Sequence, residues 1–176
     1  MKQQVNNIDI ELISGDITKQ EGIEAVVNAA NAQLKSGGGV AGAIHKAAGP
    51  GLEEECSEFA PIDPGQAVET TAHKLPNEYV IHCLGPIYNI DKPENELLAN
   101  CYKNALKIAE SRKMDSIAFP AISTGAFGFP VDEAAKIALS TIIDKTSNLK
   151  SVKKIRFVLF TKKDLETHEK ALKELL

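Results

Sequence analysis

Three stretches of small and polar residues carry the side chains and bare backbone from which a site for an anion and a sugar can be built. The longest runs from Asn28 to Gly49. It holds the amides Asn28 and Asn31, a polar link from Ala32 to Ser36, the glycines Gly37, Gly38 and Gly39, and then Val40-Ala41-Gly42-Ala43-Ile44-His45-Lys46-Ala47-Ala48. Three consecutive glycines cost backbone entropy, and they make sense where the chain must curl tightly or a ligand must lie on peptide groups. A helix beginning at such a turn presents unpaired N–H groups and the positive end of its dipole, which suits phosphate. The second stretch, Ser123-Thr124-Gly125-Ala126-Phe127-Gly128, supplies hydroxyls, successive amides and one aromatic that can cover a sugar or a base. The third is the turn Gly15-Asp16-Ile17-Thr18, where Asp16 is either a cap or an acceptor for an exocyclic amine.

Each stretch also has a plainer reading. Gly37, Gly39 and Gly42 fit GxGxxG, but the polar link Asn31 to Ser36 separates the apolar strand from the first glycine, unlike a dinucleotide fingerprint, and no Walker lysine follows. A glycine cluster can simply turn the chain. Asn28 and Asn31 either satisfy loop backbone groups or offer an amide to a ligand hydroxyl. His45, inside a small-residue helix, reads first as a packed or hydrogen-bonded histidine. His73, His82 and His168 have no metal-ligand spacing, so no metal is expected.

Composition narrows the field. With 176 residues, one domain with a sizeable core is expected. A net charge of −4 and a pI of about 5.6 argue against binding a nucleic-acid backbone. Arg112 and Arg156 are the only arginines, which favours backbone amides over an arginine fork as the holder of an anion. Cys56, Cys83 and Cys101 form neither a CxxC pair nor a disulfide framework, so a reducing, cytoplasmic setting is expected. Neither a signal peptide nor a membrane-length apolar run is evident.

The elements that must position these stretches alternate. Strands are expected at Ile8 to Ile13, Ala25 to Ala30, Gly65 to Thr71, Tyr79 to Leu84, Ser116 to Phe119 and Ile155 to Phe160. Helices are expected from about Gly39 to Ala48, Leu52 to Phe59 and Glu94 to Arg112, then after Pro130, and finally after a cap at Asp164. This order predicts a three-layer α/β domain with a mostly parallel sheet. Ligands in such sheets sit outside the carboxyl ends of strands. All three polar stretches leave strands at that end.

Six segments in order, Gly15-Asp16-Ile17-Thr18, Val26 to Asn31, Gly37 to Val40, Ala43 to Pro50, His82 to Pro86 and Phe119 to Gly125, resemble the macrodomain family, in particular its bacterial and mitochondrial mono-ADP-ribosyl hydrolase branch. The likeness spans Ile8 to Phe160. It implies a single macrodomain over residues 1–176, with a mixed six-stranded sheet between helices and a cleft for ADP-ribose or an ADP-ribosylated protein. No cofactor, membrane or obligate protein partner is implied. Asp16 would take the adenine amine, the Ile17 backbone the ring nitrogen, and Phe160 would stack on the base. Gly37, Gly38, Gly39, Val40 and Ala41 in one loop, and Ser123, Thr124, Gly125, Ala126 and Phe127 in the other, would hold the diphosphate and distal ribose, with Asn28 and Asn31 as ligand-side amides. Asn31 would orient the ribose for hydrolysis at C1″, with His45 as a helper. The substrates implied are mono-ADP-ribosylated acidic residues or O-acetyl-ADP-ribose. One position departs from the pattern: hydrolases of that branch carry aspartate where this chain has Ala41, which leaves a non-catalytic ADP-ribose reader as the alternative. Some viral macrodomains share Gly-Gly-Gly-Val-Ala-Gly and count as active.

Overall fold

Asn6 and Asn7 both adopt left-handed backbone, with φ of 50° and 64°. They close a two-residue hairpin turn that pairs strand β1 (Lys2–Val5) antiparallel to β2 (Ile8–Ser14). In the computed structural model, which describes all 176 residues, these two strands begin a seven-stranded sheet of order β1-β2-β7-β6-β3-β5-β4. The remaining strands are β3 (Ala25–Ala29), β4 (Ala67–Thr71), β5 (Tyr79–Cys83), β6 (Ser116–Phe119) and β7 (Lys154–Leu159). Six strands were expected; the seventh is β1. Its Lys2-Gln3-Gln4 is exposed at the sheet edge, so it carries none of the apolar alternation by which a half-buried strand is recognised.

Strands β2, β7, β6, β3 and β5 run parallel, and β1 and β4 lie antiparallel at the two edges. Helices α1 (Gly39–Ala48) and α2 (Pro50–Cys56) cover one face, while α3 (Glu94–Ser111), α4 (Val131–Lys145) and α5 (Lys162–Leu175) cover the other. The period-two alternation of strand side chains divides the core accordingly. Val26, Val80, Ala118 and Val158 pack with Ile44, Ala48 and Leu52 of α1 and α2. Val27, Ile81, Ile117 and Phe157 pack with Leu98, Tyr102, Leu139 and Leu172 of the three-helix side.

Helix α2 ends at Cys56, short of the expected Phe59, and α3 at Ser111; two helix starts differ from expectation for local reasons. Helix α2 starts at Pro50 rather than Leu52, because a proline at the first helical position gives up an N–H that has no partner there anyway. Helix α5 is capped by Thr161, whose hydroxyl accepts the Asp164 N–H at 3.1 Å, and not by Asp164 itself.

The end of α3 pins the entry to β7. Glu110 Oε1 accepts the backbone N–H groups of Lys150, Ser151 and Val152 at 3.0, 2.8 and 2.8 Å. Burial opposes its ionisation, yet these three donors hold its carboxyl below the usual range. Replacing Glu110 with glutamine keeps the shape and weakens three charge-assisted bonds. A urea titration of Glu110→Gln at pH 7 is expected to show a loss of about 1–2 kcal/mol. The depressed pKa makes that contribution present above the ordinary glutamate value and lost as the pH falls, so the difference from the native chain shrinks in acid.

Candidate functional site

All five parallel strands deliver their carboxyl ends to one edge of the sheet. Along that edge the loops follow strand order: Asp16 beyond β2, Phe160 beyond β7, residues 121–128 beyond β6, residues 30–38 beyond β3, and Gly85 beyond β5. From β2 to β3 is three strand spacings, roughly 14 Å. An extended ligand can therefore lie across the edge and meet every loop.

At the centre is a cleft of about 300 Å³ between the loop after β3 and the loop after β6. Asn31, Gly38, Gly39, Val40 and Ala41 form one wall; Ser123, Gly125, Ala126 and Phe127 form the other. The first wall is the N-terminus of α1. Gly38 is its N-cap with no side-chain cap bond, so the opening N–H groups of the helix are turned toward the cleft without a side-chain acceptor. The approach depends on Gly42. A Cβ there would overlap the Gly37 carbonyl oxygen, whereas a Cβ on Gly38 would meet nothing within 4 Å. Hence Gly42 lets the loop fold back on the first turn of α1, and Gly38 leaves space for a ligand.

Asn31 closes its own loop. Its Nδ2 donates to the Lys35 carbonyl at 2.7 Å, and its Oδ1 accepts the Lys35 N–H at 3.0 Å. The amide keeps a second N–H and a second lone pair, now held in a fixed direction at the cleft wall. Glu53 of α2 supports the same loop from outside by accepting the Ser36 N–H at 2.9 Å. The opposite loop is bonded to itself and to its neighbour: Phe129 N–H to the Ser123 carbonyl at 2.9 Å, Gly128 N–H to Gly125 at 3.0 Å, and Tyr88 N–H to Phe127 at 2.8 Å. The Thr124 hydroxyl donates to the Ala121 carbonyl at 3.2 Å. Ser123 sits in left-handed backbone, φ 67°, with its hydroxyl against Gly85, where any Cβ would collide with it.

Asp16, Ile17 and Phe160 gather at the far end of the edge, outside the central cleft. Gly15 N–H donates to the Leu159 carbonyl at 3.0 Å, so the two strands release their loops together. Asp16 Oδ1 accepts from the Thr18 hydroxyl at 2.7 Å and the Thr18 N–H at 2.9 Å. Those two bonds hold the carboxyl below its ordinary range and keep it an acceptor. Phe160 is 87% exposed, a large apolar surface just past the end of the neighbouring strand β7.

Asn28 and His45 lie elsewhere. Both are buried between the sheet and α1–α2, and neither lines the cleft. Asn28 Nδ2 lies 3.1 Å from His82 Nδ1, its cross-strand neighbour. His82 Nε2 lies 2.9 Å from the Thr70 hydroxyl, which donates onward to the Thr71 carbonyl. That hydroxyl therefore accepts from His82, whose proton sits on Nε2. Burial pushes the His82 pKa down to about 3, with His45 nearby adding to the effect. His45 lies 6.4 Å from His82, ring to ring, and burial lowers its pKa too. Gly37 and Thr124 belong to the two loops but not to the cleft surface.

Ala29 and Ala30, Ala121 and Ile122 line the cleft within the two loops singled out from the sequence, and Gly85 lines it outside them; none of the five was expected as a site residue. The available signal was position alone: each stands at or just past the carboxyl end of an apolar parallel strand. The cleft wall contains no Asp, Glu, His, Lys or Cys. No group of three such residues comes together elsewhere as a metal site, and no helix is long and apolar enough to cross a membrane.

A family model described as Macro domain matches residues 27–138. A macro domain-containing protein of Chlorobaculum tepidum is 44% identical over 168 residues, covering 95% of this chain and 97% of that protein. ADP-ribose glycohydrolase MACROD2 of Homo sapiens is 46% identical over 168 residues, covering 94% of this chain and 39% of that protein. Among solved structures, a variant of the Oceanobacillus iheyensis macrodomain with ADPR superposes with a TM-score of 0.95 and 42% identity, covering 99% of this chain and 97% of that one. A Trypanosoma brucei macrodomain in complex with ADP-ribose gives 0.87 at 34% identity, covering 93% of this chain and 68% of that one.

Two expectations follow from this geometry. Glycine to alanine inside a helix ordinarily stabilises by up to about 1 kcal/mol. Gly42→Ala is expected to do the reverse, lowering the urea unfolding free energy by about 1–3 kcal/mol through overpacking, while Gly38→Val stays within about 1 kcal/mol of the native chain but occupies ligand space. The buried histidines set the pH response. His45, His82 and His168 all have lowered pKa values, so below about pH 6.5 the unfolded chain binds protons that the native one refuses. Stability is expected to fall as the pH drops, by the order of 1 kcal/mol per unit from His82, whose pKa lies near 3, with His45 and His168 acting in the same direction, measured as the urea midpoint between pH 7 and pH 5.

Proposed function

The chain belongs to the Macro domain family, and from that premise we propose that it binds ADP-ribose along the carboxyl edge and hydrolyses the C1″ bond of mono-ADP-ribosylated acidic residues or O-acetyl-ADP-ribose. One observation carries the reading. A cleft walled by two amide-rich loops, with Asn31 and Ala41 in one wall and Phe127 in the other, lies on the same sheet edge as Asp16, Ile17 and Phe160. The adenine amine donates to Asp16, the ring nitrogen accepts the Ile17 N–H, and Phe160 covers the base. The diphosphate takes backbone N–H groups from the α1 N-terminus and the loop after β6, whose dipoles serve in place of cationic side chains. Asn31 orients the distal ribose, and Phe127 packs against it.

The chemistry suits a wall without ionisable groups. Water attacks C1″, the bond from C1″ to the acyl oxygen breaks, and its electron pair leaves with the carboxylate. A carboxylate needs no proton to depart, so a general acid is dispensable. The attacking water gives its proton to a phosphate oxygen of the bound ligand, which the loops hold near the ribose. His45 lies behind the wall in a neutral form and contributes through the packing of α1.

Ala41 supports a second reading. Its methyl group stands in the cleft where a carboxylate could accept a proton from water, a role worth about 10²–10⁴ in rate. Without it the protein is a reader that holds ADP-ribose and releases it unchanged. A time course on a protein mono-ADP-ribosylated at glutamate separates the two. The hydrolase reading expects loss of label with the native chain, faster with Ala41→Asp. Loss with Ala41→Asp alone means the native cleft is a reader.

A further inference from the structure

Gln20 is 4% exposed and follows the short 3₁₀ turn Ile17–Lys19, a buried polar side chain between exposed Lys19 and Glu21. Its side chain is held at both ends. Gln20 Oε1 accepts from Arg156 Nη1 at 3.0 Å, and Gln20 Nε2 donates to the Asp16 carbonyl at 2.7 Å. Arg156 Nε in turn donates to Glu11 Oε2 at 2.8 Å, across the β2–β7 pair where the two residues stand opposite each other. Both members of that ion pair are largely covered, at 19% and 14% side-chain exposure.

The partners leave the amide one orientation. Arginine has only donors, so the Gln20 atom facing it is the oxygen. A carbonyl has only acceptors, so the atom facing Asp16 is the nitrogen. Gln20 thus converts a charge pair on the sheet into a directed N–H beneath the Gly15–Asp16 turn. The close packing of the turn supports this, since a Cβ on Gly15 would lie 3.9 Å from Gln20 Nε2 and 3.7 Å from Val158.

A trans peptide is planar, with its C=O and N–H pointing in opposite directions. The Asp16 carbonyl is held inward by Gln20 and, at 3.0 Å, by the Lys19 N–H, which turns the Ile17 N–H of the same peptide outward. We propose that Gln20, oriented by Arg156 and Glu11, is a positioning residue for base recognition, aiming the Ile17 N–H at a ring nitrogen that accepts and so selecting adenine over hypoxanthine. This rests on the placement of adenine at Asp16, Ile17 and Phe160 made above. Hypoxanthine carries a proton on that ring nitrogen and an oxygen in place of the amine, so both contacts invert.

Calorimetry of the full chain with ADP-ribose and with its hypoxanthine analogue tests the proposal. Gln20→Glu keeps the acceptor for Arg156 and removes the donor to Asp16. Arg156→Met leaves the amide in place but frees it to turn. Arg156→Lys keeps a donor and is the conservative control. Two hydrogen bonds of ordinary strength give the native chain a preference for ADP-ribose of about tenfold or more. Gln20→Glu and Arg156→Met are each expected to reduce it to about threefold or less, with Arg156→Lys between. A merely structural role would weaken both ligands alike and leave their ratio untouched. Unfolding midpoints identify a variant that has lost its fold, in which case the other variant decides. Full base preference in a folded Gln20→Glu or Arg156→Met chain overturns the positioning role alone. A native chain that binds ADP-ribose without preferring it to the analogue overturns the base placement and the role with it, and a native chain that binds neither ligand overturns the functional reading as well.

Discussion

The cleft depends on one backbone contact, the approach of the Gly37 carbonyl to the first turn of α1 at Gly42. There is no room for a methyl group between them. Because the loop folds back at that point, α1 starts in the wall of the cleft instead of beyond it, and a Cβ on its N-cap Gly38 would meet nothing within 4 Å. The rest follows in sequence. Asn31 ties the loop shut through Lys35, Glu53 buttresses it from α2 through Ser36, and Ile44 and Ala48 anchor the helix to Val26 and Val80 of the sheet. Residues far from the cleft thus act on it by fixing the direction of a few N–H groups.

Electrostatics reach the same arrangement from another side. The chain has net charge −4, and no charged side chain lines the central cleft. A diphosphate held there rests on peptide dipoles, which need no counter-charge and cannot be titrated. The charges near the edge are held in fixed positions. Asp16 is fixed by Thr18, and Arg156 acts on the turn through Gln20. One of the chain's two arginines thus contributes direction instead of charge.

Much of this was legible in the sequence because it rests on local signals. Helix α1 spans Gly39–Ala48 as its glycines and small residues imply, and the apolar run into Asn28 marks a central parallel strand. What escaped depends on long-range partners. The β1 strand is polar and owes its existence to the Asn6-Asn7 turn. Asn28 reads equally well as a ligand amide or a buried one, and only its pairing with His82, 54 residues on, separates the two. Gln20 sits in a polar stretch with nothing to mark it until Arg156 is brought alongside, 136 residues later. Sequence periodicity reports which residues are apolar; it does not report which polar residues find partners.

Burial of polar groups explains why the two faces of α1 behave differently. Its opening N–H groups face the cleft, while His45 faces inward toward a neutral cluster of Asn28, His82, Thr70 and Cys56. Burial drives His45 and His82 toward their uncharged forms and the Cys56 thiol up to about 11, so no group in the cluster carries charge near neutral pH. A charge there would lie beneath a site that must accept a dianion. A buried cation would add affinity but would also draw the diphosphate down, and a buried anion would repel it. Keeping the cluster neutral leaves the ligand to the oriented amides above, where geometry rather than charge decides what fits. The methyl group of Ala41 extends that neutrality to the wall itself.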